Sequence, residues 1–300
     1  MTVPIPGPGK RSDPTQTQPI QQVRFVKTLY EEAQRCFLIA DPDQKLDASL
    51  QVVAAWNAGC LSLDADDKPI AYSQPGRLNR PILVPPQQVS KRGFGSVTKR
   101  ASLIHSLAHI ELTAVNLAWD TIYRFRRMPR DYYADWVKCA GEESQHFFAL
   151  RNQLRAMGFD YGDFTAHDEL WGSAVDTAHD LMDRMAIVHR VFEARALDVV
   201  PQTREKFLEL GDSKTASILT LIANEEIGHV SAGTRWFHYR CREEGLEPDA
   251  TFFKLLQQYL GSYPKGPFNH EARIQCGFSE NELNRLEAED AAFRQRRHNS

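Results

Sequence analysis

No stretch of this chain approaches the roughly 18 to 20 uncharged apolar residues that a membrane-crossing helix needs, so the sequence offers no span. Cysteine is sparse. Cys36, Cys60, Cys139, Cys241 and Cys276 are scattered, odd in number and without CxxC spacing, which argues against a disulfide framework or a zinc ribbon. A reduced, cytoplasmic setting is the simplest expectation. Residues Met1 to Gly7 also lack the charged-then-apolar layout of a secretory leader. An excess of one charge is missing too. A net charge of −3 gives no strong attraction to polyanions or membranes, so nucleic acid is a poor candidate partner. No βαβ alternation and no series of hairpins can be traced. What remains is a 300-residue chain, 42% apolar, long enough for one large domain or two ordinary ones.

Its organisation reads as helical. Residues 1–22 are rich in Pro, Gln, Thr and Gly, carry little that can pack, and are expected to be a disordered tail. Residues 23–97 form an appendage: a helix from Val23 to about Leu38, a second to about Asn57 after Asp41-Pro42-Asp43, then extended coil punctuated by Gly and Pro. Residues 98–246 hold four long helical runs: Thr98–Arg127, Asp131 to about Met157, Ser173–Val200 ended by Pro201, and Ser213 to about Glu244 stopped by Gly245. Each would be about 40 Å long at about 1.5 Å per residue. Short links make each pair an antiparallel hairpin, with residues 158–172 as a long crossover and 201–212 as a short helix or turn. Residues 247–300 add about two short helices as a C-terminal extension. The fold class predicted is all-α, a four-helix bundle with appendages at both ends.

Two copies of one short word stand out: Glu142-Glu143-Ser144-Gln145-His146 and Glu225-Glu226-Ile227-Gly228-His229. Glu111 lies 32 residues before Glu143, and Glu193 lies 33 residues before Glu226. A four-helix bundle holds two metal ions in its core with this pattern, one Glu from each of two helices and Glu-x-x-His from each of the other two. Residues i and i+3 share a helix face, so Glu143 and His146 can reach one ion, as can Glu226 and His229. The stripes around them are apolar: Cys139, Ala140, Phe147 and Leu150 beside Glu143, and Leu219, Ile222, Val230 and Gly233 beside Glu226. Free anions buried there would each cost several kcal/mol, and two cations remove that cost. Solvated charges or a hydrogen-bonded network would instead call for polar neighbours, which the sequence lacks.

The expected ligands are therefore Glu111, Glu143, His146, Glu193, Glu226 and His229, with Glu143 and Glu226 bridging. Four carboxylates and two imidazoles favour two iron ions, or iron with manganese, over zinc. Each ligand histidine needs an acceptor on its other ring nitrogen, and Glu142 and Glu225 are candidates. Ala108, Ala140, Ala196 and Gly233 leave room beside the ligands. His189, one turn before Glu193, is a candidate flanking residue. His105 and His109 point away from the Glu111 face by about 160° and 200° at about 100° per residue, which suits supporting or capping roles. Asp163, His167 and Asp168 in the crossover are candidates for an entrance or lid, against plain Asx turns. The cluster Arg124, Arg126, Arg127 and Arg130 suits phosphate or, more simply, a solvated helix end.

The stretches Ala108-His109-Ile110-Glu111-Leu112, Glu142 to Phe147, Asp160 to Phe164 with Ala166-His167-Asp168, Glu193-Ala194-Arg195, Glu225 to Val230 and Pro267-Phe268-Asn269 resemble a bacterial ferritin-like family of unknown function. That family is related more distantly to the di-iron tRNA hydroxylases and to rubrerythrin-like proteins. The resemblance covers about residues 25 to 290 and implies a ferritin-like bundle with the same six ligands. The placing of Glu142 and Glu225 is also similar to the acidic residue, often Asp, that precedes Glu-x-x-His in bacterial multicomponent monooxygenases. Four functions compete. The first is an O₂-dependent oxidoreductase or hydroxylase acting on a small or nucleotide-like substrate, with an electron donor as partner. The second is an iron-handling ferroxidase or storage protein working as a homo-oligomer. The third is a tRNA-acting hydroxylase, kept alive only by the arginine cluster. The fourth is a helical interaction protein with structural carboxylates.

Overall fold

In the computed structural model of the protein, which describes residues 1–2, 27–64 and 68–298, the first helix begins where Thr28 can cap it. The Thr28 hydroxyl accepts from the Glu31 amide and the Glu31 carboxylate accepts from the Thr28 amide, so α1 runs Leu29–Leu38. The expected disordered tail lies outside the described residues beyond its first two positions, as does the start of the first expected helix. Asp41 caps α2, Pro42–Asn57, with Pro42 in its first turn. The segment that follows is mostly irregular, but Leu61–Ser62 pairs parallel with Lys27–Thr28, a strand contact that the expected coil lacked.

Ser96 caps α3, Val97–Arg124, and a short link leads to α4, Arg130–Ala156. The two pack along their lengths as an antiparallel hairpin. Helix α8, Ser213–Glu244, is capped by Asp212, whose carboxylate accepts from the Thr215 amide. Gly245 closes it at φ +67°, the left-handed conformation that glycine adopts freely. Helix α4 packs on α8, α1 on α3, and α2 on α4.

The third expected helix differs. The crossover gives way to a short α5, Glu169–Asp176, and the chain restarts where Asp180 caps α6, Leu181–Arg184. Residues Met185–Glu193 are π-helical, and α7, Ala194–Glu209, continues the same rod straight through Pro201. A proline inside a helix frees the carbonyl four residues earlier. Here that carbonyl, Leu197 O, accepts from the Asn269 side-chain amide at 3.2 Å. The expected stop at Pro201, and the separate turn over 201–212, are thus replaced by one helix that the C-terminal segment completes.

The C-terminal extension holds three helices, not two: α9 (Pro248–Leu260), α10 (His270–Gln275) and α11 (Glu280–His298). It grips the rod through buried ion pairs. Arg190 meets Glu282 at 2.8 Å with both side chains fully buried, and Arg273 meets Asp198 at 2.8 Å. Phe237, Phe252 and Phe278 lie 4.3–4.7 Å from the Arg190 guanidinium, so its charge is held by ring faces as well as by Glu282.

The fold is an all-helical bundle, and its apolar core is divided. On α3 one cluster takes Ala101, Ile104 and Ala108, and the other takes Val115 to Tyr123. On α4 the same two clusters take Phe147 to Leu154 and Tyr132 to Ala140, and on α8 Ala216 to Ile222 and Val230 to Cys241. Glu111, Glu143 with His146, and Glu226 with His229 fall at the waist between them. No helix among the described residues is long and apolar enough to cross a membrane.

Candidate metal centre

Glu111, Glu143, His146, Glu226 and His229 meet at that waist from α3, α4 and α8, Glu193 on the π-helical turns lies near them with His189 as its hydrogen-bond partner, and each of the six is buried. Glu143 and His146 are fully so, and Glu193, the most open, is 7% exposed. His146 Nδ1 lies 3.1 Å from Glu111 Oε2 and 3.3 Å from Glu143 Oε2. His229 Nδ1 lies 3.0 Å from Glu143 Oε1 and 3.6 Å from Glu226 Oε2. Glu143 therefore stands between two groups, one with Glu111 and His146 and one with His229. In each group the potential ligand atoms lie within 4.8 Å of one another, and the second also contains Cys139.

Each histidine is held from the opposite helix. Nε2 of His146 on α4 lies 2.7 Å from Glu225 Oε2 on α8, and Nε2 of His229 on α8 lies 3.0 Å from Glu142 Oε2 on α4. Both Nδ1 atoms are thereby left facing the inner carboxylates. Glu142 is anchored in turn by Lys138 at 2.9 Å. On the rod, His189 Nδ1 hydrogen-bonds Glu193 Oε2 at 2.5 Å. His189 itself is wedged against Gly233: a Cβ there would meet His189 Cβ at 2.5 Å. The smallness of Gly233 thus seats His189, rather than leaving room for a ligand.

The electrostatics leave a place for a cation. The partners of six carboxylates (Glu111, Glu142, Glu143, Glu193, Glu225 and Glu226) are three histidines and one lysine. Burial and then the charge of Glu143 push the Glu111 carboxyl up to about 8. Burial raises Glu226 as well. Burial also opposes charge on Glu143, but His229 and the hydrogen bond from His146 outweigh it and hold that carboxyl low. His146 is likewise opposed by burial, yet its bonds to Glu111 and Glu143 lift it to about 11. The protein alone thus balances the site with protons. Glu143 Oε1, Glu226 Oε2 and His229 Nδ1 are buried without a hydrogen bond. The 3.0 Å approach of Glu143 Oε1 to His229 Nδ1 brings charges together but is misaligned for one. Buried polar atoms rarely go unpaired, and a metal ion among these atoms would take their lone pairs. The donor set fits one.

The other candidates lie elsewhere. His105 Nε2 accepts from the Gly162 amide at 2.9 Å, and His109 Nδ1 meets the Tyr161 hydroxyl at 2.8 Å, so this face of α3 anchors the crossover. Burial pushes the two imidazoles down to about 4 and about 3. Asp163 accepts from the Asp160 amide, Asp168 pairs with Arg77 at 2.6 Å, and His167 lies 3.6 Å from Glu169. The crossover is strapped over the far face of α3, so these three are not brought to the carboxylates. Two small clefts open on that far face and share His109. Arg124 pairs with Asp120, while Arg126 and Arg130 lie 4.1 Å from the rings of Tyr30 and Trp56, which is helix-end packing. Cys139 is the group that the motif spacing passed over. Its place four residues before Glu143, on the same stripe, was the available signal.

The fold and this site define an all-helical protein with a buried carboxylate–histidine cluster. Residues 38–284 match the family described as "Protein of unknown function (DUF455)", and the chain belongs to that family. An "Uncharacterized protein" of Haemophilus influenzae is 36% identical over 274 residues, covering 89% of this chain and 93% of its own length. No solved structure matches the chain.

Proposed function

We propose that the protein is a ferritin-like, non-haem di-metal carboxylate protein, and that it works as an O₂-dependent oxidoreductase with iron as its metal. The observation that carries this reading is the placement of Glu143, one fully buried carboxylate shared by two groups of metal-ligand type. Glu111 and His146 would complete one ion, and Glu193 and His229 the other; Glu226, expected from the sequence to bridge, lies 3.6 Å from His229 and would join the second. One oxygen of Glu193 is held by His189, leaving the other for metal. Bound iron would supply the electrons that O₂ chemistry needs.

The chain's own residues perform the rest. Glu225 and Glu142 accept hydrogen bonds from the Nε2–H groups of His146 and His229 and so present each Nδ1 as a ligand. Two apolar half-cores above and below the waist keep bulk water out. The π-helical turns set Glu193 into the site, and π-turns within helices are frequent at functional sites. A small or nucleotide-like molecule remains the substrate class.

Anaerobic loading with ferrous iron followed by exposure to O₂ tests the proposal. The expected result is an O₂-dependent rise in near-ultraviolet and visible absorbance that Glu143→Ala abolishes. An iron-loaded protein whose spectrum O₂ leaves unchanged is not an O₂-dependent oxidoreductase.

A further inference from the structure

Cys139 lies on α4 one turn before Glu143 and is 3% exposed. Its sulfur, a Glu143 carboxylate oxygen and a ring nitrogen of His229 all fall within 4.8 Å of one another. Two atoms beside the sulfur mark this as a ligand cluster rather than a packed thiol. Glu143 Oε1 and His229 Nδ1, both buried, make no hydrogen bond. The neighbour of the Cys139 thiol is itself a candidate ligand, His229, whereas the buried thiols of Cys241 and Cys276 lie against the Met182 sulfur at 3.7 Å and the Ile227 carbonyl at 3.4 Å.

We propose that Cys139 is a thiolate ligand to the metal position formed with Glu143 and His229. This rests on the di-metal reading above and deepens it. The two positions of the site are then chemically unequal. Glu111, Glu143 and His146 offer only oxygen and nitrogen, whereas the second position adds sulfur. On coordination the thiol proton leaves to solvent and the sulfur lone pair forms the metal bond, with no change in oxidation state. A thiolate favours iron, cobalt and zinc over the harder manganese and magnesium, so Cys139 sets which metals the second position accepts. Even an outer partner of a ligand is worth about 10- to 100-fold in metal affinity, so losing the sulfur is expected to lower zinc affinity at that position by at least about tenfold.

The test uses the full-length chain with Cys60→Ser, because Cys60 is exposed and would bind metal adventitiously. Loaded with cobalt(II), this parent is expected to show a near-ultraviolet sulfur-to-cobalt charge-transfer band. Adding Cys139→Ser should remove the band while the first position keeps its cobalt. Cobalt bound by the parent without the band, or a band that survives Cys139→Ser, overturns the proposal and leaves the di-metal reading standing. Should the serine variant fail to fold, X-ray absorption on the zinc-loaded parent decides. A zinc–sulfur shell at about 2.3 Å is expected, and a shell of oxygen and nitrogen alone contradicts it. A parent that binds no metal overturns this proposal and the di-metal reading together.

Discussion

The carboxylate of Glu225 on α8 lies 2.7 Å from Nε2 of His146 on α4, so the residue before one Glu-x-x-His motif orients the histidine of the other. Glu142 does the same for His229 at 3.0 Å. The two motifs are therefore one crossed unit. Changing Glu225 to Gln keeps the shape but removes the charge that favours a proton on Nε2. The expected effect is a loss of about 10- to 100-fold in metal affinity, with a melting temperature of the metal-free protein near that of the parent. Chelator competition measures the first and a thermal melt the second. Unchanged affinity would mean that the pair is structural.

Gly233→Ala tests how the rod is seated. The added methyl would sit 2.5 Å from His189 Cβ, a carbon fixed to the backbone of the π-helical turns, so one helix must move. Overpacking of this kind costs about 1–3 kcal/mol, and it should disturb the His189–Glu193 pair. A lowered melting temperature together with weakened metal binding is expected. A variant as stable as the parent would show that the rod yields freely.

Arg190 and Glu282 form the buried tie between the π-helical turns and α11. Removing one partner leaves an unpaired buried charge and costs about 3–5 kcal/mol, whereas replacing both with apolar residues is often close to neutral. Glu282→Ala is expected to be much less stable than the double variant Arg190→Met, Glu282→Met. Denaturant unfolding compares them, and equal loss in both would contradict the account.

Lys45 supplies a pH dependence away from the metal site. Its ammonium is 1% exposed and donates to the Cys36 and Phe37 carbonyls at 2.7 and 2.9 Å, while burial pushes its pKa down to about 7. Between about 7 and its ordinary value near 10.5, the unfolded chain binds the proton and the folded chain does not. Stability therefore rises with pH across that window, at up to about 1.4 kcal/mol per unit. Lys45→Met removes this contribution. Melts at pH 7.5 and 9.5 should show a gap between parent and variant that changes with pH, and a constant gap would contradict the shift.

The long helices were legible because apolar stripes and stops agree along α3, α4 and α8: Gly245 closes α8, and Glu111, Glu143 and Glu226 interrupt stripes that are otherwise apolar. The third helix was not. Pro201 reads as a stop, and Asn269, 68 residues later in the chain, satisfies the carbonyl it frees. The π-helical turns have no local signature in Met185–Glu193, and they pack against Gly233, Glu282 and the aromatic rings around Arg190, all distant in sequence. The supporting place of Glu142 and Glu225 followed from position, but their crossing between motifs depends on how α4 faces α8. Cys139 shares the stripe of Glu143, yet a thiol there reads as core until His229 is seen beside it.

Metal content tests the central claim most directly. The protein purified after iron-replete expression is compared by elemental mass spectrometry with Glu143→Ala. A metal-binding waist predicts about two ions per chain in the parent and near-complete loss in the variant, because Glu143 serves both groups. A parent without metal, beside a variant that is equally stable, would make the six residues a polar core network and end the metalloprotein reading.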